Sequence, residues 1–328
     1  MIEILSTPSL VTIQDLGRSG FYRYGVCRSG AMDRLALAIG NLLLGNDRGA
    51  AGLEIPILPL RLRFNVDMNF SLTGADCGAM LGDRPLPPFW ATRAKAEDVL
   101  TLNAPRSGCR VYLCVAGGID VPEVLDSRST QLRETFGGIE GRALAKGDRI
   151  AAVGNDVRLP HAGVGTVPPA VALAAAGDST TAVRVIPAAE YADYDDASRA
   201  AFWSADWKVT VQSNRAGYRL EGPELALTRP RELRSHGVVP GVIQVPAGGQ
   251  PIIQLADAAT MGGYPKIGVV IDADLWRIAQ ARPGDALRFV ECDTACAADA
   301  HDETETYLAQ LAADVGRQRR LATAWGVA

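Results

Sequence analysis

Glycine, proline, asparagine and aspartate break the chain into short apolar runs, and this punctuation limits what it can fold into. RLRFNV (61–66), NFSLTG (69–74), CRVYLCVAGG (109–118), VRVIP (183–187), WKVTVQ (207–212) and ALRFVE (286–291) are strand-length, alternating or β-branched, and bounded by turn residues. A parallel α/β sheet needs long amphipathic helices between its strands, and those are mostly missing. The pattern predicts a mainly β (α+β) chain of barrels or sandwiches with a few short helices. One internal helix is expected over 31–44, where Leu35, Ile39, Leu42 and Leu43 recur at helical spacing. Ser29 is placed to cap its start and Gly45 to end it. A shorter helix is expected over 273–280. Between about 297 and 322 acidic residues come early and Arg317, Arg319 and Arg320 late, the order a helix dipole favours.

At 328 residues the chain exceeds the commonest single-domain size. The stretch 155–181 is rich in Pro, Gly, Ala and Ser and reads as a connection. The expected organisation is a first β-barrel subdomain over 1–160, a linker over 161–181, a second barrel over 182–292 and a helical tail over 293–328. A Gly-Asp pair precedes an apolar strand in both halves, KGDRIAAV (146–153) and PGDALRFV (283–290), a weak sign of duplication.

Composition narrows the function classes. A net charge of −4 argues against a general nucleic-acid binder, which needs a basic surface to displace counterions. MIEILSTPSL has no basic start followed by a long apolar run, and no stretch of about 18 apolar residues occurs, so neither a signal peptide nor a spanning helix is expected. The six cysteines are scattered, which reads as reduced thiols and a cytoplasmic protein. The three histidines lack metal-ligand spacing, and Cys292 and Cys296 near His301 read as structural thiols; no metal is expected. No G-x-x-x-x-G-K-[ST] loop, G-x-G-x-x-G turn or G-x-S-x-G elbow is present.

Four glycine-bounded polar clusters remain. TIQDLGRSGFYRYGVCRSGAMDR (12–34) sets Gln14, Asp15, Arg18, Ser29 and Asp33 close together in sequence, with Asn41, Asn46 and Glu54 following. AGGIDVP…SRST…FGG…GR (116–142) offers the Ser127–Thr130 hydroxyls and Arg128, either for an anion or for a hydrogen-bonded turn. SNRAGYRLEGPEL (213–225) brings Asn214, Arg215 and Arg219. GVVPGVIQVPAGGQPIIQLAD (237–257), running into TMGGYPKIG (260–268), carries Gln244, Gln254, Tyr264 and Lys266. Each cluster also reads as solvated loops with ordinary ion pairs or as hairpins with polar turns.

Taken in order, TIQDLGRSG, SGAMDRLALAIGNLLLGN, TGAD, VAGGIDVP, SRST, FGG-x-x-GR, GYRLEGP, PGVIQVPAGGQPII, GGYPKI and PGDALRF resemble one family across roughly residues 3 to 291. It is the biotin-dependent carboxyltransferase-type family that includes the C subunit of the bacterial ATP-dependent 5-oxoprolinase. The family also holds the allophanate hydrolase "subunit 2" domain, a region of urea carboxylase and the antagonist of a sporulation-kinase inhibitor. The resemblance implies two cyclophilin-like β-barrel subdomains and a homologous partner chain.

For the C subunit of a 5-oxoprolinase, the resemblance implies ATP-dependent opening of the lactam of 5-oxo-L-proline to L-glutamate. The ATP is shared with two partner proteins: the homologous, kinase-inhibitor-like B subunit, and the LamB/YcsF-like A subunit. The alternatives are a carboxyltransferase subunit for urea or another amide, and a non-catalytic regulator of a kinase-inhibitor-like partner. No A-M-K-M segment is present, so biotin is not expected on this chain.

On this resemblance Lys266, Arg18 and Arg215 are the expected catalytic cations. Gln14, Asp15, Ser29, Asp33, Asn214, Arg219, Gln244 and Tyr264 are the expected substrate-binding residues. Glutamine amides can read a ureido or lactam group with both donor and acceptor, and a cation can hold an oxyanion. No nucleophile is assigned. Asn214 stands where the family usually has Asp, Ala216 where it has Met, and His236 where an acidic residue is expected.

Overall fold

The computed structural model describes residues 1–154, 158–169, 180–229 and 233–325. The fold is mainly β, with helices at Arg34–Leu43, Asp196–Ser204 and Leu275–Gln280 and a long C-terminal helix at Thr294–Trp325. The chain divides into two compact units. One is formed by Met1–Arg18, Ser29–Pro168 and the tail from Glu305 onward, the other by Ser19–Arg28 and Pro169–Thr304. Residues 155–157 and 170–179 of the anticipated connection lie outside the described residues.

The first unit is built from two six-stranded sheets. In one, Arg149–Ile150, Ile2–Ser6, Leu60–Phe64, Val99–Leu102, Ala79–Leu81 and Arg84–Leu86 lie side by side. In the other the order is Val164–Gly165, Trp90–Ala94, Met68–Asp76, Ser107–Val115, Gly52–Ile55 and Thr12–Gln14. Alternate residues of both sheets, among them Ile4, Leu62, Phe64, Phe70, Leu72, Val111 and Leu113, meet in a single core. Burying each such side chain contributes about 1.5–3 kcal/mol, which is why the period-two pattern fixes which face turns inward.

Helix Arg34–Leu43 lies on the second sheet through an unusually close approach. A Cβ at Gly40 would stand 2.9 Å from Cys114 Sγ and 3.1 Å from Ser71 Oγ. The hydroxyls of Ser71 and Thr73 donate to the carbonyls of Gly40 and Ala36 at 2.7 Å each, pinning the helix to the sheet. The helix starts later than the apolar spacing predicts. Ser29 does not cap it; Ser29 sits in the left-handed region with φ +53°, and Asp33 takes the cap by accepting from Ala36 N–H at 2.8 Å. Gly45, at φ +60°, does close the far end, its N–H donating to Leu42 O at 2.9 Å. The C-terminal helix also packs in this unit: Arg48 pairs with Glu305 at 2.6 Å, Tyr307 bonds Thr166 at 2.9 Å, and Leu308, Leu311 and Val315 are buried.

In the second unit seven strands close into a barrel, in the order Thr180–Pro187, Lys266–Val270, Val242–Gln244, Ile252–Gln254, Gly217–Glu221, Trp207–Val209 and Ala286–Glu291. Closure is made by the parallel pairing of Ala286–Glu291 with Thr180–Pro187. Phe202 of helix Asp196–Ser204 packs against Phe289 with centroids 4.8 Å apart, and Trp207 joins them. The run WKVTVQ ends as a strand at Val209, and Val211 in the turn that follows is 86% exposed. Among the described residues no helix is long and apolar enough to cross a membrane.

Candidate functional site

The candidate residues fall into two groups, one in each unit. In the first unit the two earliest polar clusters, more than a hundred residues apart in sequence, come together. Strand Thr12–Gln14 delivers Asp15 to the SRST turn. Its carboxylate accepts from Ser127 Oγ at 2.7 Å, Ser129 Oγ at 2.5 Å, Arg128 N–H at 2.6 Å and Gly17 N–H at 2.7 Å. The anion this turn binds is thus the protein's own Asp15. Arg128, in turn, faces Glu123 at 2.6 Å and the carbonyl of Val121 at 3.0 Å.

Arg18 is 1% exposed, donates to Ser129 O at 2.7 Å and stacks its guanidinium 4.7 Å over the Phe136 ring. The FGG motif is explained by the same contact. Gly137, at φ +72°, leaves no room for a Cβ, which would fall 2.2 Å from Ser129 O. Gln14 is fully buried, and its amide donates to Thr12 Oγ1 at 3.0 Å and Thr130 O at 3.1 Å, while its Oε1 has no hydrogen-bond partner. Ser29 Oγ accepts from Gln131 at 3.3 Å.

Beside these, Asp33 N–H donates to Tyr112 OH at 2.8 Å, and the Tyr112 hydroxyl donates to Glu54 at 2.6 Å. Burial, followed by the charges of Glu54 and Asp33, pushes the Tyr112 phenol well up, so it stays protonated as the donor in this chain. Asn41 and Asn46 hold backbone: Asn41 reaches Ala50 O at 2.7 Å, and Asn46 reaches Val115 O at 2.8 Å. Arg23 and Arg28 belong to the segment that clusters with the other unit, and Arg23 is exposed against Tyr24.

In the second unit the SNRAGYR segment builds a turn. Asn214 Oδ1 accepts from Ala216 N–H at 2.9 Å, a task that Asn and Asp perform equally, so the departure from Asp leaves the turn intact. Arg215 grips Asp257 in a two-pronged pair at 2.8 and 3.1 Å, with both side chains nearly buried. Arg219 points to solvent. His236 is held by the Arg234 carbonyl at 2.9 Å.

Lys266 differs from all of these. The sequence has four lysines; Lys95, Lys146 and Lys208 are exposed, whereas Lys266 is 8% exposed at the start of a barrel strand. It stands opposite Gln244 across an irregularity in the ladder, which places the two side chains as neighbours. Gln244 donates to Tyr264 O at 3.4 Å, while the Tyr264 ring is half-exposed. A Cβ at Gly262 would lie 2.5 Å from Gln244 Nε2, so any larger residue there would displace that amide.

The residue missed by sequence reasoning is Glu190. Its carboxylate accepts the Lys266 backbone N–H at 3.2 Å and lies 4.0 Å from Lys266 Nζ. Nearby Tyr194 donates to Pro265 O at 3.4 Å, and burial first, then Glu190, pushes its phenol well up. Glu190 sits in AAEYADYDD, where nothing in the pattern separates it from its acidic neighbours.

A buried ammonium beside a glutamine amide can polarise a carbonyl and read its adjoining N–H. Among the described residues no group of three or more His, Cys, Asp or Glu is gathered to hold a metal ion, and the six cysteines are free thiols. The helix at Arg34–Leu43 would be a natural phosphate cradle, but the Asp33 carboxylate occupies its N-terminus, so it does not fit the phosphates of ATP.

Comparison with known proteins shows the family. The chain is 44% identical over 312 residues to the C subunit of 5-oxoprolinase from Escherichia coli K12, covering 95% of this chain and 98% of that one. It is 40% identical to the C subunit of 5-oxoprolinase from Haemophilus influenzae, covering 95% and 97%. The crystal structure of K. lactis urea amidolyase superposes with a TM-score of 0.85 at 27% identity, over 94% of this chain and 20% of that one. A sequence model of the carboxyltransferase domain, subdomain A and B, matches residues 24–291. With most of its length matched by that model, the chain belongs to the carboxyltransferase domain A and B family.

Proposed function

We propose that this chain is the C subunit of an ATP-dependent 5-oxoprolinase, the component of a hydrolase complex that opens the lactam of 5-oxo-L-proline to L-glutamate. The observation that carries the reading is the match to two proteins of that name over nearly their whole lengths, 98% and 97%. Its partners are the homologous B subunit, which is kinase-inhibitor-like, and the LamB/YcsF-like A subunit, with which it shares the ATP. In this chain Lys266 polarises the lactam carbonyl and Gln244 orients the ring amide. Arg215, in the same unit as Lys266, is held by Asp257; Arg18, Gln14 and Asp15 form a fixed polar cluster of the first unit. The role is electrostatic: donors set in a water-poor site stabilise charge that develops on the carbonyl oxygen.

A second reading, carboxyl transfer to urea or another amide, draws support from the likeness to urea amidolyase. Urea and a lactam both present a planar amide carbonyl, so one site suits either. Mixing the chain with its partner proteins, ATP and 5-oxoproline and measuring glutamate separates the two. Glutamate release that depends on the chain is expected; release unchanged when the chain is omitted overturns the assignment. Formation of carboxylated urea only in the presence of a biotin carboxylase favours the second reading.

A further inference from the structure

Lys266 is a buried cation whose charge is balanced but whose donors are open. Glu190 Oε2 lies 4.0 Å from Nζ, beyond the usual N–H···O range of about 2.7–3.2 Å. The same oxygen is instead pinned to the Lys266 backbone N–H at 3.2 Å. Nζ has no hydrogen-bond acceptor, although an ammonium carries three donors and leaving them unmet in a buried place is costly. A carbonyl oxygen arriving at Nζ would relieve that cost. A phosphate or sulfate would meet the Glu190 carboxylate as well as the ammonium, and the pair has no net charge with which to hold it.

We propose that Glu190 is a specificity-determining residue, which cancels the charge of Lys266 without taking its hydrogen bonds and so selects a neutral amide carbonyl over a free phosphate or sulfate ion. The proposal rests on the reading of Lys266 as the group that polarises the lactam carbonyl. Gln244 completes the selection. A lactam ring holds its amide cis, so N–H and C=O face the same edge, and a glutamine amide beside an ammonium can take both. Gly262 keeps the space around that amide clear, since a Cβ there would stand 2.5 Å from Gln244 Nε2.

The test follows the Lys266 side chain directly and needs no turnover. With only four lysines in the sequence, the 13Cε signal of Lys266 is assigned in lysine-labelled full chain by its loss in Lys266→Arg. The chain, alone and with its partner proteins present, is titrated with 2-pyrrolidinone, a neutral lactam without a carboxylate, and separately with sulfate. In the unaltered chain 2-pyrrolidinone moves the Lys266 signal and sulfate at equal concentration does not. In Glu190→Gln sulfate binds at least tenfold more tightly than in the unaltered chain. Glu190→Asp, which keeps the charge, retains the original preference and separates charge from packing. Equal sulfate binding in the unaltered chain and Glu190→Gln, or no movement with 2-pyrrolidinone in either setting, overturns the proposal. Failure of glutamate release with this preference intact would sink the 5-oxoprolinase assignment alone.

Discussion

Asp15 and Glu190 are both carboxylates withdrawn from water beside a glycine-rich motif, yet they are engaged in opposite ways. Four donors, two hydroxyls and two backbone N–H groups, close on Asp15. Glu190 receives one backbone N–H at 3.2 Å and stands 4.0 Å from the ammonium it compensates. The first arrangement spends its hydrogen bonds on the fold, and the second leaves those of Lys266 for a ligand. A polar residue in a glycine-rich motif is therefore assigned by where its donors and acceptors go, and not by membership of the motif.

Removing Asp15 should break this contrast most severely. Asp15→Ala strands four donors in a buried turn, and a loss of about 3–5 kcal/mol in urea unfolding is expected. Lys266→Met keeps length and apolar bulk but removes the cation. Glutamate release by the reassembled complex should drop by about 100-fold or more, with the melting temperature shifted by only a few degrees. A fall in melting temperature that matches Asp15→Ala would place Lys266 with the fold instead.

Asp33 tests a smaller part of the first unit. Because it caps Arg34–Leu43, Asp33→Ala should cost about 1 kcal/mol of stability, read from the unfolding midpoint, and Asp33→Ser should restore most of it. If turnover is lost in Asp33→Ser while stability returns, the carboxylate serves the substrate as well as the helix. Arg219→Ala should show the least effect, within about 0.5 kcal/mol, since the side chain points to solvent. A large rise in KM for 5-oxoproline in that variant would restore Arg219 to the site.

The strands were legible because their signal is local. NFSLTG, VRVIP and ALRFVE fall on strands, and CRVYLCVAGG does so as far as Val115, as alternation and turn residues require. The helix over 31–44 was legible too, but not its cap. Ser29 and Asp33 both suit an N-cap, and the choice was made by tertiary structure, which turns Ser29 into the left-handed region and carries it to Gln131. The site was less legible for the same physical reason. Asp15 meets Ser129 across 114 positions, and Lys266 meets Glu190 across 76, separations over which no local pattern carries information. Gly137 and Gly262 were visible as glycines, but what they make room for, Ser129 O and the Gln244 amide, was not.

The order in which the chain builds its two units has a genetic consequence. The unit made mainly from the N-terminal half also contains the helix from Glu305 onward, and the unit made from the C-terminal half also contains Ser19–Arg28. A stop codon at position 305 would leave every residue of the C-terminal unit encoded and would instead deprive the N-terminal unit of the partners of Arg48 and Thr166. No single cut of the gene separates the two units, so deletion mapping on this chain would assign a defect to the wrong half.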